Sequence, residues 1–215
     1  YNCSFIGNNA KQNSNPRVTS NDNSKGLFNT TEPYYNGDGG GIQIGFGCTM
    51  IKVAVVIEKC KFRNNKAQRH GGALAIQTLS TVQINECIFE SNEANSNFAS
   101  SSNLLADYDT HYYKKSEGRG GAIYINPAFT YYNDGQNKCY NDEYMTSVEI
   151  NGCEFITNSA QDGYAMYVEG DDPGTEFIIN NNDFINNYNV NQNDDPKKTI
   201  RGIITTEIHS IPKDI

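Results

Sequence analysis

The residues whose types could do chemistry are scattered acids and histidines. Asp38 precedes Gly39-Gly40, Asp162 precedes Gly163, and Asp171-Asp172 and Asp194-Asp195 are adjacent pairs. Two carboxylates facing one glycosidic bond would hydrolyse it by acid/base catalysis. A cluster of carboxylate oxygens would instead hold Ca²⁺ beside a basic group that abstracts a proton, as a polysaccharide lyase requires. Each candidate has a plainer role. Asp38 and Asp162 stand at glycine corners where a turn role suffices, Asp171-Asp172-Pro173-Gly174 reads as a turn, and Asp194-Asp195 sits in a polar loop. His70, His111 and His209 share no fixed spacing, and the six cysteines include no Cys-x-x-Cys and no Cys/His metal pattern. The sequence therefore points to no catalytic residue, no metal site and no cofactor.

What does recur at fixed spacing is structural. Five segments share one pattern: Cys3-Ser4-Phe5-Ile6-Gly7-Asn8, Cys60-Lys61-Phe62-Arg63-Asn64-Asn65, Cys87-Ile88-Phe89-Glu90-Ser91-Asn92, Cys153-Glu154-Phe155-Ile156-Thr157-Asn158 and Asn182-Asp183-Phe184-Ile185-Asn186-Asn187. Glycine corners alternate with them: Gly40-Gly41-Ile42, Gly71-Gly72-Ala73-Leu74, Gly120-Gly121-Ala122-Ile123 and Gly163-Tyr164-Ala165-Met166. Between the two lie runs of period 2, such as Val82-Gln83-Ile84 and Val148-Glu149-Ile150, which is the strand signature, and no helical period is sustained. The chain reads as all-β.

The spacing sets the architecture. Phe62 and Phe89 are 27 residues apart and Phe155 and Phe184 are 29, so one unit is too short to bury its own apolar face. Stacked units can do so. The expectation is a right-handed parallel β-helix, a solenoid of about five to six coils. With coils about 4.8 Å apart, five make a rod on the order of 24 Å. The ladder is expected to stack Phe5, Phe62, Phe89, Phe155 and Phe184 down the bore, with Cys3, Cys60, Cys87 and Cys153 on the same face. Asn8, Asn64, Asn92 and Asn158 are expected to form an amide ladder at one corner, because Asn tolerates the left-handed conformation and bonds its neighbour one coil away.

Long intervals interrupt the rhythm at about 11–36, 95–118, 127–145 and 190–198, leaving residues 1–215 as a single β-helix segment. Three of these, 11–36, 95–118 and 190–198, follow the Phe motif of alternate coils and should leave one corner; 127–145 leaves another. Insertions on a solenoid collect on one side and often form its binding surface. Tyr34, Tyr35, Tyr112 and Tyr113 fall within them. Such pairs give contact area to a carbohydrate or protein at low entropic cost, or pack the loops onto the rod.

The ladder cysteines read as a stack of buried thiols, with a Cys60–Cys87 bridge as the alternative. Cys48 and Cys139 lie off the ladder beyond comparable strands and form a candidate disulfide. Asn29-Thr30-Thr31 and Asn2-Cys3-Ser4 are glycosylation sequons, Asn29 in an insertion and Asn2 beside an inward cysteine.

Composition bounds the function. Hydrophobic residues make up 37% of 215, Asn occurs 30 times and Trp is absent, which fits a narrow bore rather than a wide core. A net charge of −8 with no basic cluster argues against nucleic acid and anionic membrane as partners. No apolar run approaches the length needed to cross a bilayer. With no initiating Met and no signal-peptide core, the expectation is a chain that lost its targeting segment or is part of something longer.

The alternating motifs, as in Gly71-Gly72-Ala73-Leu74 with Phe89-Glu90-Ser91-Asn92 and Gly120-Gly121-Ala122-Ile123 with Phe155-Ile156-Thr157-Asn158, resemble the polymorphic outer membrane protein repeats of chlamydiae. The resemblance spans about residues 2–187. It implies a surface-displayed β-helix used in adhesion, without chemistry of its own. The expected role is therefore a non-catalytic extracellular or cell-surface protein, adhesive or structural, meeting a protein or carbohydrate. Two alternatives stand beside it: a filament subunit stacking end to end with further copies of itself, and a carbohydrate-active β-helix enzyme.

Overall fold

The computed structural model describes residues 1–10, 39–44, 53–76, 80–95, 118–125, 147–168, 176–190, 199–202 and 208–209. Among the described residues there is no helix. Twenty short strands form four sheets of five, and every pairing is parallel.

The first sheet takes Ser4–Ile6, Lys61–Arg63, Ile88–Glu90, Glu154–Ile156 and Asp183–Ile185. The second takes the two-residue strands Asn9–Ala10, Lys66–Ala67, Glu93–Ala94, Ser159–Ala160 and Tyr188–Asn189. Ile42–Ile44, Leu74–Ile76, Ile123–Ile125, Met166–Val168 and Ile200–Gly202 make the third. Val53–Glu58, Ser80–Asn85, Ser147–Asn151, Glu176–Asn180 and Ile208–His209 make the fourth. The chain visits the sheets in that order and then repeats, which is a parallel β-solenoid of five coils.

Left-handed residues make the corners. Between the fourth sheet and the first, each corner has two residues: a left-handed one (Lys59, Glu86, Gly152, Asn181) and then a buried one (Cys60, Cys87, Cys153, Asn182). Asn2 and Cys3 repeat the pattern in the first coil, but Cys3 is exposed, not part of a buried stack as expected, because no coil stacks on its outer side among the described residues. Between the first and second sheets the same device recurs, with Gly7, Asn64, Ser91, Thr157 and Asn186 left-handed. The inward residues that follow are Asn8, Asn65, Asn92, Asn158 and Asn187. Here the structure corrects one expectation. Asn64 does not belong to the amide ladder; it supplies the left-handed turn, and Asn65 is the ladder residue, fully buried. Two consecutive asparagines satisfied the pattern by type, and only the count of three from Phe62 separates them. At the third corner Gly71 and Gly120 have positive φ, and a Cβ on Gly72 would run into the backbone of the next coil. The glycine pair there is required by sterics.

Alternation fills the bore. Phe62, Phe89 and Phe155 are fully buried, facing Val82, Ile84, Val148 and Ile150 of the fourth sheet and Leu74, Ile76, Ile123 and Ile125 of the third within one core. The phenylalanine rings stack at centroid distances of 4.8, 4.8, 5.0 and 4.8 Å, within 8° of parallel. Parallel planes at the strand repeat, rather than at the contact distance of about 3.5 Å, mean that the rings are offset, the favoured arrangement. The ends of the stack differ: Phe5 is half-buried, whereas Phe184 is 2% exposed.

Candidate functional site

Two ladders use up most of the buried polar chemistry. In the amide ladder, Asn65 Oδ1 accepts from both the backbone N–H (3.1 Å) and Nδ2 (2.9 Å) of Asn8. Asn65 Nδ2 in turn donates to Phe5 O at 2.9 Å and to Asn92 Oδ1 at 3.0 Å. Asn92 and Asn158 repeat this, and Asn187 receives the last pair. Each interior amide thus fills both donor and both acceptor positions. These groups hold coils together and are unavailable to a ligand.

The cysteine ladder works the same way. Cys60, Cys87 and Cys153 are buried free thiols whose sulfurs accept the backbone N–H of the cysteine one coil earlier, at 3.3–3.4 Å. No disulfide joins Cys60 to Cys87, because in-register stacking gives each sulfur a backbone partner instead. The neighbouring Cys87 thiol and burial push the Cys153 thiol up. In the last coil Asn182 takes over, its Oδ1 accepting from Cys153 N at 2.8 Å and its Nδ2 donating to Ile150 O at 2.9 Å. Asn182, Asn65 and Asn187 are the ladder residues that motif reading missed; the repeat spacing alone would have found them.

Three of the four long insertions bear on the corner between the second and third sheets. The chain runs from Asn9–Ala10 to Ile42–Ile44, from Glu93–Ala94 to Ile123–Ile125 and from Tyr188–Asn189 to Ile200–Gly202 by long routes. In coils two and four, Lys66–Ala67 reaches Leu74–Ile76, and Ser159–Ala160 reaches Met166–Val168, by six residues and five. The segment 127–145 falls at the next corner of the third coil, before Ser147–Asn151. The base of the middle insertion is closed: a Cβ on Gly118 would lie 2.9 Å from Asn95 N, and Gln161 Oε1 accepts from Gly118 N. Beside this neck His70, Arg119 and Asp162 pair as isolated parallel bridges. His70 stacks on the buried Tyr124 at 4.4 Å, and Arg119 lies over the Tyr167 ring at 4.7 Å. Tyr124 points outward by alternation yet is 2% exposed, so this outer face is covered. Asp162 Oδ1 accepts the N–H of Gly163 at 3.1 Å, the turn role expected of it.

The corner between the fourth sheet and the first carries a surface notch of about 530 Å³, lined by Glu58, Asn85, Glu86, Asn151, Gly152 and Asn181. Lys59 Nζ stands 3.4 Å from Glu58 and 3.7 Å from Glu86. Asn2, the sequon residue at this corner, is exposed with φ of 54°.

Tyr34, Tyr35, Tyr112, Tyr113, Asn29, Cys48, Cys139, Asp38, His111, Asp171, Asp172, Asp194 and Asp195 lie outside the described residues. Among the described residues no three His, Cys, Asp or Glu side chains come together as metal ligands. No family model, no curated protein and no solved structure matches the chain.

Proposed function

We propose that this β-solenoid is a non-catalytic extracellular or cell-surface protein whose rod displays the insertion side to a protein or carbohydrate partner, in an adhesive or structural role. The placement of the insertions carries this reading. Three long segments join the same two sheets in coils one, three and five, while coils two and four close the same gap with six and five residues. Lengthening a loop costs little free energy, so length alone is weak support. Its recurrence at one corner of alternate coils, on a rod whose ladder amides are already satisfied, favours a built surface. The resemblance to surface-displayed repeats agrees with it.

The test is to replace 11–38, 96–117 and 190–198 by the short link of the second coil and measure adsorption to immobilised matrix proteins and glycans. The trimmed protein should keep its β spectrum and unfolding midpoint and lose the adsorption seen with the parent. Adsorption that survives trimming, or a parent that adsorbs to nothing, overturns the reading. Turnover of a polysaccharide that disappears with Asp38→Asn, Asp162→Asn or Asp172→Asn would replace it with the enzymatic alternative.

A further inference from the structure

We infer that the notch between the fourth and first sheets is a binding site for an uncharged pyranose sugar, separate from the insertion side and independent of the reading above. It is a notch of about 530 Å³ that opens widely to solvent. Among the described residues its lining has no apolar side chain: two carboxylates, three amides and one glycine. A ligand seated there would be met mainly by polar groups.

The two carboxylates here pair with Lys59, at 3.4 Å for Glu58 and 3.7 Å for Glu86, whereas the amides are less committed than those of the ladder. The Asn85 amide makes no hydrogen bond among the described residues, and the Asn151 side chain has only a long 3.4 Å contact from Asn181 Nδ2. Amide donors, amide acceptors and the Glu58 and Glu86 carboxylates thus line one space, with the Lys59 ammonium beside the carboxylates. A hydroxyl both donates and accepts, and adjacent hydroxyls on a ring present both functions to planar amide and carboxylate groups. Two carboxylates against one ammonium leave the notch with one net negative charge, which disfavours phosphate, sulfate and uronate. The ammonium between the carboxylates equally disfavours a divalent cation, which would need six to eight oxygens if it were Ca²⁺.

Gly152 opens the space. The other residues in its column of left-handed corners are Asn2, Lys59, Glu86 and Asn181. A Cβ at Gly152 would meet only Glu86 Cγ, at an ordinary 3.7 Å. Packing does not demand a bare Cα there, and although the left-handed conformation favours glycine, side chains occupy it in the neighbouring coils.

The experiment titrates the ¹⁵N-labelled protein with methyl β-glucopyranoside, methyl β-galactopyranoside and N-acetylglucosamine, and separately with glucuronate and calcium chloride. At least one neutral sugar should give saturable amide shifts centred on Asn85, Glu86 and Gly152. Gly152→Asn, which keeps a residue at home in the left-handed conformation, should weaken that binding at least tenfold without lowering the unfolding midpoint. Asn85→Ala should weaken it in the same direction. The insertion-trimmed protein should bind the sugar as the parent does, so loss at one site leaves the other readable. Absence of saturable shifts at tens of millimolar neutral sugar, shifts indifferent to Gly152→Asn, or a stronger response to glucuronate or calcium would overturn the assignment.

Discussion

At the scale of single residues, this fold depends on side chains that behave as backbone. Asn92 accepts from the Asn65 N–H and Nδ2 and donates to Phe62 O and Asn158 Oδ1, all within 2.9–3.1 Å and fully buried. Asn92→Asp conserves shape and replaces two donors with an acceptor facing two acceptors. It should destabilise by about 3–5 kcal/mol at neutral pH, as an uncompensated buried charge does. Burial raises the folded pKa of such a carboxyl above its unfolded value, so the lost stability should return as pH falls and the acid regains a donor. Denaturant unfolding from neutral to acid pH checks this; a variant no less stable at neutral than at acid pH would show that the ladder is not closed. The amide ladder was legible by type, since only Asn recurs three places after each Phe. Asn64 was misplaced because the left-handed corner also accepts Asn, along with Gly7, Ser91 and Thr157. Composition could not separate a residue chosen for its amide from one chosen for its φ.

At the scale of elements, coils two and three are matched by charge as well as by shape. The second coil carries Lys59, Arg63 and Lys66, and the third answers with Glu86, Glu90 and Glu93 at 3.7, 2.6 and 2.8 Å. Shifting either coil by one position would break all three pairs and turn the ladder residues outward, so the charges reinforce a register already set by the bore. The energies are small because the side chains are partly exposed. Burial pushes the Glu93 carboxyl up, but hydrogen bonds from Lys66 and Asn95 and the Lys66 charge outweigh it and hold the group below its ordinary value. A depressed carboxyl stabilises the fold above its unfolded pKa and ceases to do so as pH falls through the folded one. Glu93→Gln should therefore cost less than about 1 kcal/mol at neutral pH. The parent–variant difference should vanish below the ordinary carboxylate range. A difference that persists in strong acid would assign the effect to packing instead. The coil-to-coil pairing was not legible in the sequence, because the acids and bases lie 27 residues apart and only the stacking brings them together.

At the scale of the whole molecule, each coil touches only the one before and the one after, so stability is close to a sum of coil and interface contributions. That is why the architecture could be read from the sequence while the surface could not. A corner repeated five times is visible in one dimension, whereas the notch at Gly152 exists only where residues from four different turns line up. The same linearity makes the cost of a core deletion depend on position along the rod. Phe89 is fully buried between Phe62 and Phe155, with a ring on each side, and Phe89→Ala should cost about 3–5 kcal/mol. Phe5 has one stacked neighbour and is half-buried, so Phe5→Ala leaves a cavity already open to solvent and should cost clearly less. Hydrogen exchange should separate the two variants further. Phe5→Ala should speed exchange only in the first coil and its neighbour, whereas Phe89→Ala should loosen coils two to four together. Equal costs, or a uniform rise in exchange from either variant, would mean that the rod unfolds as one globular unit rather than coil by coil.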